Sequence, residues 1–283
     1  MLKINPIFFV LAALQLLSCK PEAAQPSYIK IDEIKLSTSY NKEGSNSSKI
    51  SDAWIYVDNQ LLGAFELPCE VPVSKTGNVK ISIAAGIKNT GQSSIRERYL
   101  FYQWYDSTLA LNGGKHILTP IVSYVDSLHF LWNFDFEGNS MPFSKDEGSD
   151  TSMYLVKGSP DVFEGDGMGE VSTDASHTDL FLKTSLDLDI PAATKATFLE
   201  MNYACSHETT IGVINYVSGS KIITPIIQLK STNLKWNKIY IDLSTALGSY
   251  ALQGKFEIYC QIHHLSNEES KLRVDNLKII SQK

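Results

Sequence analysis

Phe256-Glu257-Ile258-Tyr259-Cys260-Gln261-Ile262 decides the fold class, because its even positions carry the more apolar set. A period of two belongs to a strand with one face in a core. In Leu199-Glu200-Met201-Asn202-Tyr203-Ala204-Cys205 the odd positions do the same. Outward from these, Asp179–Leu186, Ala196–Cys205, Thr210–Val217, Ile222–Leu229, Trp236–Leu243, Gly254–His263 and Ser270–Ile280 read as strands of ordinary length separated by turns. Trp132–Gly138 alternates as well, and the stretch from Asn139 to Gly169 is polar and glycine-rich with little periodicity. Nowhere does a capped 3.6-residue period persist. The class is therefore all-β, built as sandwiches. In the last strand the apolar face shifts from Leu272 and Val274 to Leu277 and Ile279, which predicts a bulge at Asp275-Asn276.

The two quoted strands place Cys205 and Cys260 on core faces. If the strands are neighbours, a disulfide would close a loop worth about 4 kcal/mol. Two inert buried thiols fit the pattern equally well. Cys69, beside Pro68, reads as a small apolar filler.

Upstream, Ile29–Leu36 alternates in two short phases, and residues 37–49 form a polar loop. Trp54-Ile55-Tyr56-Val57, a turn at Asp58-Asn59-Gln60 and Leu61–Pro68 give a hairpin signal. In Asn78–Ala84, Val79, Ile81 and Ile83 share one face. Val57-Asp58, Gly63, Pro68, Gly77, Val79, Ile81 and Ile83 together resemble the small PEGA-type β-sandwich, with Asn59 standing where that pattern usually has Gly. The resemblance implies an Ig/PEGA-like sandwich over residues 28–124, an envelope location and an interaction role. Arg96–Tyr105 then carries Tyr99, Phe101, Tyr102, Trp104 and Tyr105 as one strand-like run, apolar on both faces. Such a run is either buried on both sides or turns a row outward. In the second case Tyr99, Tyr102, Trp104 and Tyr105 are candidates for a protein interface or for stacking sugar rings.

Phe134-Asp135-Phe136-Glu137-Gly138, the run Trp236 to Ser244 and Val274-Asp275-Asn276-Leu277-Lys278-Ile279 resemble the galactose-binding-like jelly roll of carbohydrate-binding modules. That likeness covers residues 130–283. It implies a structural calcium held by Glu137 and Asp275, with backbone carbonyls completing the shell, and the alternative is a pair of solvated strand-end carboxylates. No other cofactor is expected.

The apolar run Ile7–Leu17 follows Lys3 and ends in Leu16-Leu17-Ser18-Cys19, the form of a lipoprotein signal over residues 1–18. Cys19 is the expected lipidation site, and residues 19–27 have the composition of a flexible tether. Acyl chains gain roughly 0.8 kcal/mol per buried methylene, enough to hold a chain at a membrane without a spanning helix. Lys20-Pro21-Glu22 resembles the export signal of Bacteroidota-type lipoproteins, which implies the outer membrane, the cell surface being favoured over the periplasmic face. Asp106-Ser107-Thr108 and Asp126-Ser127-Leu128 resemble the glycosylation triplets of the same envelope.

The chain of 283 residues has a net charge of −6. With no basic stripe to meet phosphates, nucleic acid is excluded as a partner. Asp187/Asp189 and Glu164/Asp166 lie two apart on exposed faces or loops, and His263-His264 would point to opposite faces of a strand. No nucleophile, zinc or phosphate-loop motif occurs. The reading is a non-catalytic protein of one of two kinds. The first is an accessory subunit of an outer-membrane protein complex for β-barrel assembly, secretion or uptake. The second is a glycan-binding surface lipoprotein.

Overall fold

The computed structural model describes residues 25–263 and 269–283. The signal, Cys19, most of the tether and His264 lie outside the described residues, so the structure does not bear on them.

The N-terminal unit runs through β1 (Ser27–Ile31), β2 (Lys35–Leu36), α1 (Tyr40–Glu43), β3 (Asp52–Val57), β4 (Gln60–Glu66), β5 (Cys69–Val73), β6 (Gly77–Lys88), β7 (Arg96–Arg98), β8 (Tyr105–Leu111), β9 (Gly114–Leu118) and β10 (Ile121–Val122). One sheet has the order β4-β3-β6, with β7 and β8 both paired to the far edge of β6. A second sheet, β5-β1-β9, and the small pair β10-β2 face it. The inward residues are those the alternation picks out: Ile55 on β3 and Val79, Ile81 and Ile83 on β6 are buried with Ile29 and Ile31 of β1. The expected hairpin forms between β3 and β4, turning on Asp58 (φ 47°) and Asn59 (φ 66°). Two successive left-handed residues match the right-handed twist of the strands, and Asp and Asn tolerate that region better than other side chains. This is why Asn59 can replace a glycine.

The aromatic run is not one strand. β7 ends at Arg98 and β8 begins at Tyr105, while Tyr99, Phe101 and Tyr102 leave the sheet and enter the core. The rings of Tyr99 and Phe101 meet Phe198, and that of Tyr99 also meets Tyr240, edge-on at centroid distances of 4.9 to 5.4 Å. Three large rings on both faces of one strand need more apolar volume than a sheet face offers, so the chain loops inward to supply it.

The second unit comprises β11 (Leu128–Phe134), β12 (Phe143–Lys145), β13 (Tyr154–Lys157), β14 (Gly167–Thr173), β15 (Asp179–Thr184), β16 (Leu188–Asp189), β17 (Thr197–Cys205), β18 (Thr209–Val217), β19 (Ser220–Leu229), β20 (Asn237–Asp242), α2 (Ser244–Gly248), β21 (Lys255–His263) and β22 (Ser270–Gln282). It is a jelly-roll sandwich of two antiparallel sheets. One is β13-β14-β22-β17-β20 with β11 on β22, and the other is β12-β15-β21-β18-β19 with β16 on β21. Between them lie Met201, Val213, Phe256, Ile258, Leu272 and Ile279. Each such side chain contributes about 1.5–3 kcal/mol on burial. The seven strands expected after residue 178 all form, close to their expected bounds. The polar stretch 139–169 holds β12, β13 and the start of β14, segments too short to display a period.

β22 is the central strand: its first half pairs with β14 and its second half with β11. At the handover the expected bulge appears. Glu200 lies opposite Lys278 and Asn202 opposite Asp275, so Met201 faces two residues, and Asn276 is left-handed at φ 49°.

The outer face of the β22-β17-β20 sheet does not meet solvent. Phe198, Tyr240 and Ile280 belong to the core of the N-terminal unit, and the backbone of Thr90 donates to Tyr240 O at 2.8 Å. In this seam Glu200, 0% exposed, accepts from Tyr99 Oη at 2.8 Å and Tyr124 Oη at 2.9 Å, and lies 3.5 Å from Lys238 Nζ. Lys278, also fully buried, donates to Ser45 O at 2.5 Å. Fixing the seam leaves the β12-β15-β21-β18-β19 sheet as the jelly roll's free face.

Candidate functional site

Since Phe256, Ile258, Cys260 and Ile262 point inward, the intervening Glu257, Tyr259 and Gln261 must point out. The same alternation turns Phe181 and Lys183 outward on β15, and Gly212, Ile214 and Tyr216 on β18. Register lines up Ser144, Lys183, Tyr259, Gly212 and Pro225 as one row across five strands. The Tyr259 ring lies against Gly212, where a Cβ would come within 2.5 Å of Tyr259 Cε1 and 2.4 Å of Thr224 O. Only glycine leaves that space. The ring of Phe181 stacks on Tyr259 with centroids 4.9 Å apart and planes 9° from parallel, so Tyr259 is buried beneath a half-exposed Phe181.

Polar groups surround this stack. Lys183 Nζ reaches Glu257 Oε2 and Tyr216 Oη, both at 3.0 Å, and Tyr216 Oη donates to Glu257 Oε2 at 2.7 Å. Burial works against the Lys183 charge, but its hydrogen bonds to Tyr216 and Glu257 outweigh it and raise the ammonium pKa above its ordinary value. Burial and the Glu257 hydrogen bond raise the Tyr216 phenol. From edge strand β19, Lys221 pairs with Asp146, beyond β12 on the opposite edge, and passes 5.9 Å from the Phe181 ring. Burial alone would lift the Asp146 carboxyl, yet the Lys221 hydrogen bond holds it below the usual range. An ion pair joining the two edge strands requires the sheet to curl, making the face a groove. The groove thus offers an apolar ring face with donors and acceptors fixed beside it.

The residues singled out from sequence fare differently. Tyr99 and Tyr102 are buried in the seam and cannot present a surface, and Tyr105 packs against the N-terminal core. Of the four, Trp104 alone is exposed, at 45%. Cys205 and Cys260 are free thiols. They sit in opposite sheets, on β17 and β21, rather than on neighbouring strands, which is why the pairing is not made; Cys205 Sγ instead donates to Lys230 O at 3.4 Å.

Glu137 and Asp275 do not gather as a calcium shell. Glu137 Oε1 is spent on the amides of Asp166 (2.9 Å) and Gly167 (3.1 Å), and Asp275 accepts from the amides of Asn276 (2.7 Å) and Glu164 (3.3 Å). Among the described residues no group of three or more His, Cys, Asp or Glu is placed to hold a metal, and calcium takes six to eight oxygens. Burial, with Glu164 and Glu137 adding to it, instead pushes the Asp275 carboxyl up to about 7. Trp236 anchors the strand it precedes, donating from Nε1 to Asp161 O at 2.8 Å and meeting Phe163 at 5.5 Å.

The groove residues Phe181, Lys183, Tyr216 and Glu257 were not singled out from sequence. The signal was present in the positions complementary to the core set, but alternation does not say which outer face a neighbouring unit will cover.

Fold and groove together define an all-β chain whose second half is a jelly-roll sandwich with one free face. No family model matches it and no curated protein matches it. Among solved structures it is similar to carbohydrate-binding modules of the β-sandwich superfamily with promiscuous specificity, at 12% identity, covering 92% of this chain and 99% of that one with a TM-score of 0.40. It is similar to a family 11 carbohydrate-binding module from Clostridium thermocellum in complex with a β-1,3-1,4-mixed-linked tetrasaccharide, at 19% identity, 52% and 94% coverage and a TM-score of 0.36. A cleaved adhesin domain of Lys-gingipain from Porphyromonas gingivalis matches at 15% identity, 52% and 96% coverage and a TM-score of 0.38. Likenesses this distant do not bear on what the chain binds.

Proposed function

We propose that the chain is a non-catalytic, lipid-anchored glycan-binding protein of the outer-membrane surface, holding sugar in the groove of the β12-β15-β21-β18-β19 sheet. The observation that carries this reading is the Phe181–Tyr259 stack with the Lys183–Glu257–Tyr216 triad beside it. A pyranose has an apolar C–H face and a rim of hydroxyls. Phe181 would take the face, while the Lys183 ammonium and the Glu257 carboxylate would pair with hydroxyls.

The reading as an accessory subunit of an outer-membrane complex ranks second, because the aromatic row open to either role is divided between core and surface, while the Phe181–Tyr259 stack that stays at the surface suits a sugar. Anchoring through acyl chains on Cys19 belongs to the same proposal and is tested by metabolic labelling with a fatty-acid analogue. For the groove, the full mature chain is screened on a glycan array beside Phe181→Ala/Tyr216→Ala. Saturable binding lost in the variant, with near-ultraviolet circular dichroism preserved, is the expected outcome. A blank array together with a stoichiometric membrane protein on mild-detergent purification would reverse the order.

A further inference from the structure

A second surface carries aromatic rings on a different unit. Ala53, Ile55 and Val57 take the inward positions of β3, so Trp54 and Tyr56 point away from the N-terminal core. Trp54 lies flat over Gly86, where a Cβ would sit 3.0 Å from its Nε1. Arg98, the cross-strand partner of Gly86, places its guanidinium 5.9 Å from the Trp54 ring and 5.6 Å from that of Trp104. Its Nη1 donates to Tyr56 Oη at 3.3 Å, and the Tyr56 and Trp104 rings stand 4.8 Å apart. The result is a row of rings with a cation held between two indoles.

Two features mark one end of this row, at Trp54 and Arg98. Arg96, two residues away, is neutralised by Asp52 at 2.7 Å and Glu66 at 3.0 Å, whereas Arg98 has no carboxylate partner among the described residues. A cleft of about 410 Å³ opens from Trp54 and Arg98 into the seam between the units, lined further by Glu97 and, from the jelly roll, by Phe198 and Asp242. That size falls within the ~300–1,000 Å³ of small-molecule sites.

The chemistry selects the ligand class. A purely apolar ligand would strip water from the Arg98 guanidinium and from the Glu97 and Asp242 carboxylates that line the cleft, at a desolvation cost. An anionic ligand would meet Glu97 and Asp242. A neutral ring with hydroxyls suits this lining, donating to the carboxylates, accepting from Arg98 and stacking on the Trp54 indole. We infer that this inter-unit cleft is a second carbohydrate site, taking a neutral pyranose chain. It rests on the glycan-binding reading and extends it to another face, with walls from both units.

The experiment titrates the full mature chain in detergent with cellohexaose, xylohexaose, β-1,4-galactohexaose and, as the acidic probe, trigalacturonate, by calorimetry and intrinsic tryptophan fluorescence. A neutral hexasaccharide that binds is expected to perturb tryptophan emission. Trp54→Ala, at the indole that lines the cleft, should weaken that phase at least tenfold with near-ultraviolet circular dichroism otherwise preserved and the Phe181-dependent binding unchanged, while Trp54→Phe, which keeps a ring, should retain most of it. Asp242→Asn should weaken it without altering the groove. If Phe181→Ala removes all binding and Trp54→Ala none, the second site is refuted and the groove stands. Tighter binding of trigalacturonate than of the neutral sugars overturns the assigned class. No binding of any of the four by the wild-type chain refutes both sites.

Discussion

Replacing Glu200 with Gln isolates what holds the two units together. The carboxylate is fully buried, and its Oε2 lies 3.5 Å from Lys238 Nζ. At an effective dielectric of about 20, unit charges at that separation attract by about 5 kcal/mol. The substitution keeps the shape and leaves an oxygen for Tyr99 and Tyr124, so the loss falls on Lys238. Burial, the largest influence, already lowers that ammonium pKa, and Glu200 is what opposes the fall. Breaking one side of such a pair costs about 3–5 kcal/mol at pH 7. The sign with pH follows from Lys238: its folded pKa lies below the unfolded 10.5, so the folded state binds fewer protons between the two values, and stability rises with pH across that window. Removing Glu200 widens the window, so the variant should recover on alkalinisation more than the wild type. Urea unfolding followed by tryptophan fluorescence reads both units, because Trp54 and Trp104 lie in the first and Trp132 and Trp236 in the second. The double variant Glu200→Gln/Lys238→Met, which removes both charges and keeps an oxygen for the two tyrosines, should return to within about 1 kcal/mol of wild type. A loss below about 1 kcal/mol for Glu200→Gln, or additive losses in the double variant, would show that this ion pair does not hold the seam.

Asp275 gives the opposite sign. Its carboxyl titrates at about 7 in the folded chain against 3.8 unfolded, so the folded state binds the proton more tightly and stability falls as pH rises from about 4 through 7. A difference of that size corresponds to about 4 kcal/mol, and Asp275→Asn should be the more stable chain at pH 8 with no advantage at pH 4, as measured by urea midpoints. Burial lifts the Cys260 thiol to about 12 and raises that of Cys205, so neither should react with a thiol reagent in the native chain, and both should react on unfolding without prior reduction. Gly212→Ala must displace Tyr259 or the Thr224 carbonyl, costing about 1–3 kcal/mol and lowering glycan binding through the displaced stack, read by thermal unfolding and array signal.

Alternation along Phe256–Ile262, Leu199–Cys205 and Asn78–Ala84 was enough to establish an all-β chain, most of its strands and their core residues, because a period of two is a local property of the backbone. The bulge at Asp275-Asn276 was equally legible, since a change of apolar face within one strand has few other causes. Short strands such as Phe143–Lys145 and Tyr154–Lys157 were hidden because three or four residues cannot show a period. The aromatic run Tyr99–Tyr105 misled for a different reason: composition marks rings as sticky but does not say whether they meet solvent or a second unit. Packing the β22-β17-β20 sheet on the N-terminal core buried Tyr99 and Tyr102, separated Trp104 from them and left the Phe181 groove as the jelly roll's free face. Which face of a strand is apolar is written residue by residue, but which apolar and polar faces meet is settled only when the two units dock, since docking joins residues such as Tyr99 and Glu200 that lie far apart along the chain.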